Sequence, residues 1–168
     1  MSSPPAGLRV RDAAPGDLDV IVDFNARLAS ETEDKTLDRV ALTRGVRAAL
    51  ADPDRLRYWV AVSAGSGRVV GQAAVTREWS DWRDGWFWWF QSVYVRPEAR
   101  HRGAFRSLHA HIRAAALSAG GVVGLRLYVD DANDHAHRTY EALGLTSGGY
   151  RVYEEVWKDR LPGGREPV

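Results

Sequence analysis

The chain has 168 residues, of which 45% are hydrophobic and 27% are charged, and its formal net charge is +1. This length and composition suit one compact domain spanning residues 1–168 and leave little room for two. The near-neutral charge disfavours binding to nucleic acid or to a membrane surface, and the lack of cysteine excludes disulfides, thiolate metal sites and cysteine nucleophiles. No apolar run approaches the ~20 residues of a membrane span, and the N-terminus does not resemble a signal peptide, so we expect a cytoplasmic protein.

In the first half of the chain, the hydrophobic pattern predicts two helices between a first strand and a β-hairpin. Apolar residues recur at spacings of three and four in the helical stretches, and they alternate with arginines in the first strand. The predicted elements are strand 8–11, a helix capped by Asp17, an acidic break 30–35, a helix capped by Thr36 and ended by Asp52 and Pro53, and strands 57–63 and 69–76 joined by a glycine-rich turn.

The second half is predicted to hold three more strands and two more helices. Five of the seven tryptophans lie between Trp79 and Trp89, partly in a polar loop and partly in an apolar strand. The predicted elements are loop 78–85, strand 86–95 covered on both faces, a helix that closes near Gly120, strand 122–129, helix 134–143 followed by Gly144 as its C-terminal glycine, strand 150–157, and a frayed tail 160–168.

Segment 91–108 joins a strand, a glycine turn and a helix in immediate succession. Pro97 ends the strand, and a helical pattern begins after Gly103. Backbone N–H groups at the start of such a helix converge, and the helix dipole adds partial positive charge. Four arginines surround the turn against one acid, which indicates a phosphate or pyrophosphate site; they are Arg96, Arg100, Arg102 and Arg106. A basic turn without a ligand is the alternative interpretation.

The order of residues in this turn matches neither the P-loop nor the dinucleotide-binding glycine pattern. Arg100-x-x-Gly103-x-Phe105 instead resembles the pyrophosphate loop of the GNAT superfamily of N-acetyltransferases. Phe105 departs from the family pattern, in which a small residue is usual at this position.

A second block of the chain resembles the same family. In that block a strand leads to an asparagine, an alanine, a tyrosine and a Leu-Gly pair, which here are Asn133, Ala136, Tyr140 and Leu143-Gly144. The two blocks stand in the family's order, and the resemblance covers about residues 8–157.

The resemblance implies a fold, an activity and ligands. The fold would be α/β, with a mixed, mostly antiparallel central sheet flanked by helices in the order β-α-α-β-β-β-α-β-α-β. The activity would be transfer of an acetyl group from acetyl-coenzyme A to a primary amine, of a small molecule or a protein, by direct attack and without a metal. Many relatives are dimers, so a homodimer is possible. The alternative is a non-catalytic acyl-coenzyme A sensor of the same fold.

The resemblance also implies which residues bind the acetyl donor. The pantetheine arm would pair with the edge of the strand at Val93, Tyr94 and Val95, through their backbone. Asn133 would contact the donor, although an N-cap role explains it equally well. The pyrophosphate would lie on the turn and the first helical residues, which are Arg100, His101, Arg102, Gly103, Ala104, Phe105 and Arg106.

Tyr140 is the predicted proton donor to the departing thiolate, because a phenol and a thiol have similar basicity. A half-buried structural tyrosine is the alternative. For the general base the candidates are Glu31 first and Glu78 second, against the interpretation of a solvated acidic loop.

The histidines and the exposed tryptophans are predicted to play smaller parts. His109 and His111 are predicted to be surface or stem residues of the long helix, and His135 and His137 to be solvated. Trp79 and Trp82, with Asp81, could form an aromatic wall for a cationic acceptor or a self-association surface.

Overall fold

A computed structural model of the chain describes residues 7–157 and 160–161, with only the backbone of His135. These residues form two compact units, the first ending at Leu127 and the second beginning at Tyr128. The predicted tail 160–168 lies mostly outside the described residues. The single domain over residues 1–168 stays a prediction.

The first unit holds five strands and three helices, and the second holds one helix. None of the described helices combines the length and the apolar composition needed to cross a bilayer. The elements are β1 (Leu8–Asp12), α1 (Leu18–Glu33), α2 (Arg39–Ala51), β2 (Arg57–Ser63), β3 (Val69–Ser80), β4 (Gly85–Val95), α3 (Ala104–Ser118), β5 (Val122–Leu127) and α4 (Asp134–Ala142).

The five strands form one sheet in the order β1-β2-β3-β4-β5. The first four pair as antiparallel neighbours, and β5 joins β4 in parallel after the α3 crossover. A parallel neighbour needs such a crossover because a tight turn can only reverse the chain. The predicted fold class, a mixed and mostly antiparallel sheet flanked by helices, is therefore confirmed.

Two hydrophobic clusters lie on opposite faces of the sheet. On one face α3 contributes Leu108 and Ile112, which pack against Trp59, Trp88 and Phe90. The other cluster is covered by α1 and α2 and consists of Ile21, Val22, Val46, Ala49, Tyr58, Val60, Val62 and Ala74. Alternate residues of each strand face opposite ways, so Ala73 and Val75 belong to the first cluster and Ala74 to the second.

Three predicted segments differ from the structure. Residues 150–157, predicted as a last strand, carry no regular secondary structure. The predicted loop 78–85 shrinks to a short turn, because β3 continues to Ser80 and pairs with β4 up to Gly85. The predicted break at residue 30 is also wrong, since α1 continues to Glu33 and ends at Asp34, whose φ of 52° is left-handed.

The cap of α2 also differs from the prediction. Asp38 takes this position in place of Thr36, because its carboxylate accepts hydrogen bonds from the backbone N–H groups of Val40 and Ala41. By contrast, Gly144 has a φ of 86° directly after α4, as its predicted role as a C-terminal glycine requires.

The tryptophans of β3 and β4 divide between core and surface. Trp88 is buried and lies against Trp59, with 5.8 Å between ring centroids. Trp79 is half exposed and meets Trp86 edge to face at 5.0 Å, while Trp82 at the tip of the hairpin is 87% exposed. Trp79 therefore packs on a strand neighbour, and an aromatic wall built from Trp79 and Trp82 stays a prediction.

Candidate active site

The two sides of β4 differ along its length. From Trp86 to Phe90 the strand pairs with both β3 and β5. The last pair with β5 is Phe90 with Leu127, and from Gln91 to Val95 only β3 pairs with β4 among the described residues. One edge of this second half therefore presents its backbone N–H and C=O groups to an added strand or an amide-containing ligand.

An extra residue in β4 marks the point where the edge opens. Ala74 pairs with Ser92 while Val75 pairs with Phe90, so Gln91 has no partner of its own in the register. Such a bulge bends the strand and increases its local twist. The Gln91 side chain donates to Thr76 Oγ1 at 2.8 Å. The bulge thus separates the half of β4 that is paired on both sides from the half that is open.

The open edge leads directly into the glycine turn. A short 3-10 helix, Pro97–Ala99, follows β4, and His101 and Gly103 then have φ values of 59° and 81°. Gly103 stands at the N-cap position of α3, and no side chain caps this helix. The turn is therefore shaped so that the first N–H groups of α3 can bind an anion.

The four arginines around the turn have different environments. Arg102 and Arg106 are exposed and form no ion pair with any carboxylate of the described chain. Arg96 donates to the Val69 carbonyl at 3.1 Å, and its guanidinium carbon lies 4.9 Å from the centre of the Phe24 ring. Two exposed cations therefore remain at the entrance of α3 for an anionic ligand.

Arg100 is held toward β4 and α1. Its Nε donates to the Val95 carbonyl at 3.0 Å, and its Nη2 donates to Glu31 Oε2 at 2.5 Å. Tyr94, whose ring is buried against Phe24, donates its hydroxyl to Glu31 Oε1 at 2.8 Å. The hydrogen bond from Arg100, with that from Tyr94, lowers the pKa of Glu31, so this carboxylate is a weaker base than an ordinary glutamate.

Glu78 lies on the sheet face opposite α3 and pairs in register with Phe87, in the half of β4 that is paired on both sides. Its Oε1 accepts a hydrogen bond from Arg126 Nη1 at 2.8 Å, and Arg126 pairs in register with Trp89. The Arg126 guanidinium carbon lies 3.6 Å from the centre of the Phe87 ring. The structure thus brings Glu78 and Arg126 together on an aromatic surface, with Arg126 one residue before the last pair of β5 with β4.

Sequence reasoning missed Arg126 and a buried polar chain beneath the same face. Gln72 is fully buried and donates to Asn25 Oδ1 at 2.6 Å, and Asn25 donates to the Tyr58 hydroxyl at 3.1 Å. Burial raises the pKa of Tyr58, although hydrogen bonds from Asn25 and Ser92 oppose the shift. A glutamine in the all-apolar centre of β3 was the available signal, because a buried amide requires partners.

In the second unit, the two predicted residues lie on α4 or at its start. Asn133 is the N-cap, and its Oδ1 accepts from the Ala136 N–H at 3.0 Å, so the capping interpretation is confirmed. Tyr140 is partly buried, and burial raises the pKa of its hydroxyl. Tyrosine carries its proton at neutral pH, as a general acid must, and the raised pKa keeps Tyr140 in that form.

The prediction that His109 is a surface or stem residue is wrong. His109 lies on the buried face of α3, and its ring stacks on Phe90 with 6.1 Å between centroids. Burial, together with the charge of Arg113, lowers the pKa of His109, so its imidazole is held in the neutral form. His111 is exposed, as predicted. Nowhere in the described part of the chain do three or more His, Asp or Glu side chains gather to hold a metal ion.

Several solved structures share the fold of this chain over about nine tenths of its length. A possible acetyltransferase from Clostridium difficile 630 is 42% identical and superposes with a TM-score of 0.82 over 90% of this chain and 98% of its own. AAC(6')-Iy, in complex with a bisubstrate analogue, is 16% identical with a TM-score of 0.74 over 90% of this chain and 99% of its own. An integron cassette protein from the mobile metagenome of Cole Harbour Salt Marsh is 23% identical with a TM-score of 0.76 over 93% of both chains.

The last two of these structures are too distant in sequence to show more than the fold. No curated protein sequence matches the chain. The family model described as "Acetyltransferase (GNAT) family" matches residues 22–145. These residues include the open edge of β4, the glycine turn and α4. The chain therefore belongs to the GNAT family of acetyltransferases.

Proposed function

We propose that the protein transfers an acetyl group from acetyl-coenzyme A to a primary amine by direct attack. The observation that carries this proposal is the open edge of β4, which ends in the uncapped glycine turn of α3. A ligand with an amide-rich arm and a pyrophosphate has the two chemistries that these neighbouring elements can bind.

The residues of the first unit fit such a donor. The backbone of Val93, Tyr94 and Val95 would pair with the pantetheine amides, while their side chains pack inward or against α1. The first N–H groups of α3, with Arg102 and Arg106, would hold the pyrophosphate. Phe105 does not remove an N–H group from this cradle, since every residue except proline retains its backbone donor.

The bound donor would supply a thioester carbonyl for attack and a thiolate as leaving group. The open edge of β4 would direct a backbone N–H toward the carbonyl oxygen as it gains charge. Tyr140 would donate its proton to the thiolate sulfur, because a phenol and a thiol have similar basicity. Asn133 would combine its capping role with a contact to the donor.

Glu78 fits the role of general base better than Glu31. Its partner Arg126 lies one residue before the last pair of β5 with β4, and the second carboxylate oxygen of Glu78 accepts no hydrogen bond from the described residues. Glu31 has the lowered pKa that its two donors cause, which reduces its capacity to accept a proton from an ammonium group. A cationic amine can bind Glu78 by charge before it loses its proton.

Replacing Tyr140 tests the proton donor. We expect Tyr140→Phe to lower turnover by about a hundredfold or more, since general acid catalysis contributes on that order, with little change in coenzyme A affinity. Turnover is measured as thiol release at saturating acetyl-coenzyme A. Unchanged turnover at saturating substrates would remove Tyr140 from the mechanism.

Ligand-dependent unfolding tests the proposed function as a whole. A ligand at about 100 times its Kd stabilises the folded state by about 2.7 kcal/mol, which for this size raises Tm by roughly 5–10 °C. We expect this rise with acetyl-coenzyme A and coenzyme A but not with ATP. Thiol release in the presence of an amine panel then separates an enzyme from a non-catalytic acyl-coenzyme A sensor, which would show the rise alone.

A further inference from the structure

The carboxylate of Glu31 joins α1 to the glycine turn. Glu31 lies in the last turn of α1, and its two oxygens accept hydrogen bonds from different elements. Tyr94 on β4 donates to Oε1 at 2.8 Å, and Arg100 in the turn donates to Oε2 at 2.5 Å. One side chain thus ties the end of a helix to the strand and the turn that would bind the acetyl donor.

Arg100 is occupied on the side that faces β4. Besides its bond to Glu31, it donates from Nε to the Val95 carbonyl, and its guanidinium carbon lies 5.6 Å from the centre of the Tyr94 ring. Glu31 therefore neutralises one of the cations of the anion site from within the protein.

The side of this cluster that faces the core is firmly anchored. Tyr94 is 3% exposed and packs on Phe24 of α1, with 5.0 Å between ring centroids. The side chains of Arg100 and Glu31 are 43% and 37% exposed, so their ion pair can exchange with another anion. The exchangeable contact in the cluster is therefore the one between the carboxylate and the guanidinium.

We propose that Glu31 competes with the pyrophosphate of the acetyl donor for Arg100, so that donor binding frees Oε2 of Glu31 while Oε1 stays bonded to Tyr94. The proposal rests on the proposed function, because it requires a pyrophosphate at the turn. The two anions repel each other, so a guanidinium cannot bind both as strongly as it binds one. After release, Oε2 of Glu31 is free to attract a cationic acceptor.

Neutralising Glu31 tests this competition through the affinity for coenzyme A. In Glu31→Gln the internal competitor is lost, and we expect the Kd of coenzyme A, measured by calorimetry, to fall about twofold to fivefold, the range of a partly exposed ion pair. Glu33→Gln is the matched control, because Glu33 lies on the same helix and pairs with Lys35 in place of Arg100. It removes the same charge and should leave Kd unchanged.

A double-mutant cycle isolates Arg100 as the route of the effect. In the Arg100→Gln background, Glu31→Gln should no longer change the Kd of coenzyme A, because there is no guanidinium left to release. Glu31→Asp, which keeps the charge on a shorter side chain, should give a smaller gain than Glu31→Gln. A purely structural role for Glu31 would instead weaken binding in every variant.

The possible outcomes separate this inference from the proposed function. Unchanged or weaker binding of coenzyme A by Glu31→Gln, or an equal gain in Glu33→Gln, overturns the competition while the proposed function stands. Persistence of the gain in the Arg100→Gln background also overturns it. Absence of coenzyme A binding by the wild-type protein overturns the proposed function, and the inference with it.

Discussion

The two halves of β4 show how one strand can build both a core and a site. From Trp86 to Phe90 the strand has partners on both sides, and its side chains alternate between the α3 cluster and the opposite face. From Gln91 to Val95 it has β3 alone among the described residues, although Tyr94 is as well buried as Trp88. In this strand, a buried side chain does not imply that the backbone is hydrogen-bonded on both sides.

This difference arises from the neighbour of the strand. β4 keeps an extended backbone through both halves, while the bulge at Gln91 and the end of β5 at Leu127 coincide with the loss of pairing. Removing a side chain from the half that is paired on both sides should destabilise the core. The open half should instead be altered mainly by changes to its backbone groups or to the turn that follows. Mutations in the two halves should therefore affect different properties.

The largest contrast should come from truncating one side chain in each half. Trp88→Ala removes a buried ring that packs on Trp59 and should destabilise the fold by about 3–5 kcal/mol. Gln91→Ala removes an exposed side chain and its hydrogen bond to Thr76, and should cost less than about 1 kcal/mol. Denaturant unfolding measures both. Equal losses would show that the half paired on both sides contributes no more to the core than the open half.

A smaller effect should follow from crowding the place where β5 reaches β4. A methyl group on Gly85 would collide with Val123 Cγ1 and lie 2.9 Å from the Gly121 carbonyl oxygen, so Gly85→Ala should cost about 1–3 kcal/mol. Gly65→Ala is the matched control, because nothing lies within 4 Å of its added methyl group. Unfolding free energies that agree between the two variants would mean that β5 shifts without cost.

The fold and the glycine turn before α3 could be predicted from the sequence because their signals are local. The strand predicted at residues 57–63 is β2 with its observed bounds, and the Pro97 stop followed by Gly103 located the start of α3. The two sequence blocks gave the family, which the comparisons confirm.

The rest could not be predicted because it depends on contacts between distant parts of the chain. The bond between Glu31 and Arg100 joins residues 69 positions apart, and the polar contact between Gln72 and Asn25 spans 47. The predicted strand 150–157 shows the opposite failure, since this segment has no partner strand among the described residues.

The smallest predicted effect concerns His109, which lies at the junction of the two halves of β4. Its ring stacks on Phe90, the last residue paired on both sides, and burial with the charge of Arg113 lowers its pKa. The unfolded chain, with a histidine pKa of about 6.5, then binds a proton more readily than the folded protein. Stability should be unaffected above that pH and should fall as the pH decreases through and below it, until His109 is also protonated in the folded state.

Substituting His109 separates its contribution to the pH dependence of stability from those of the other titrating groups. We expect His109→Gln to reduce the loss of unfolding free energy between about pH 7.5 and 5 by an amount under about 1 kcal/mol, whatever its effect at neutral pH. His111→Gln, on the exposed face of the same helix, should leave the pH dependence unchanged. If the pH dependence is the same in all three proteins, the neutral imidazole does not contribute to the junction, and the stack on Phe90 tolerates the charged ring as well as the neutral one.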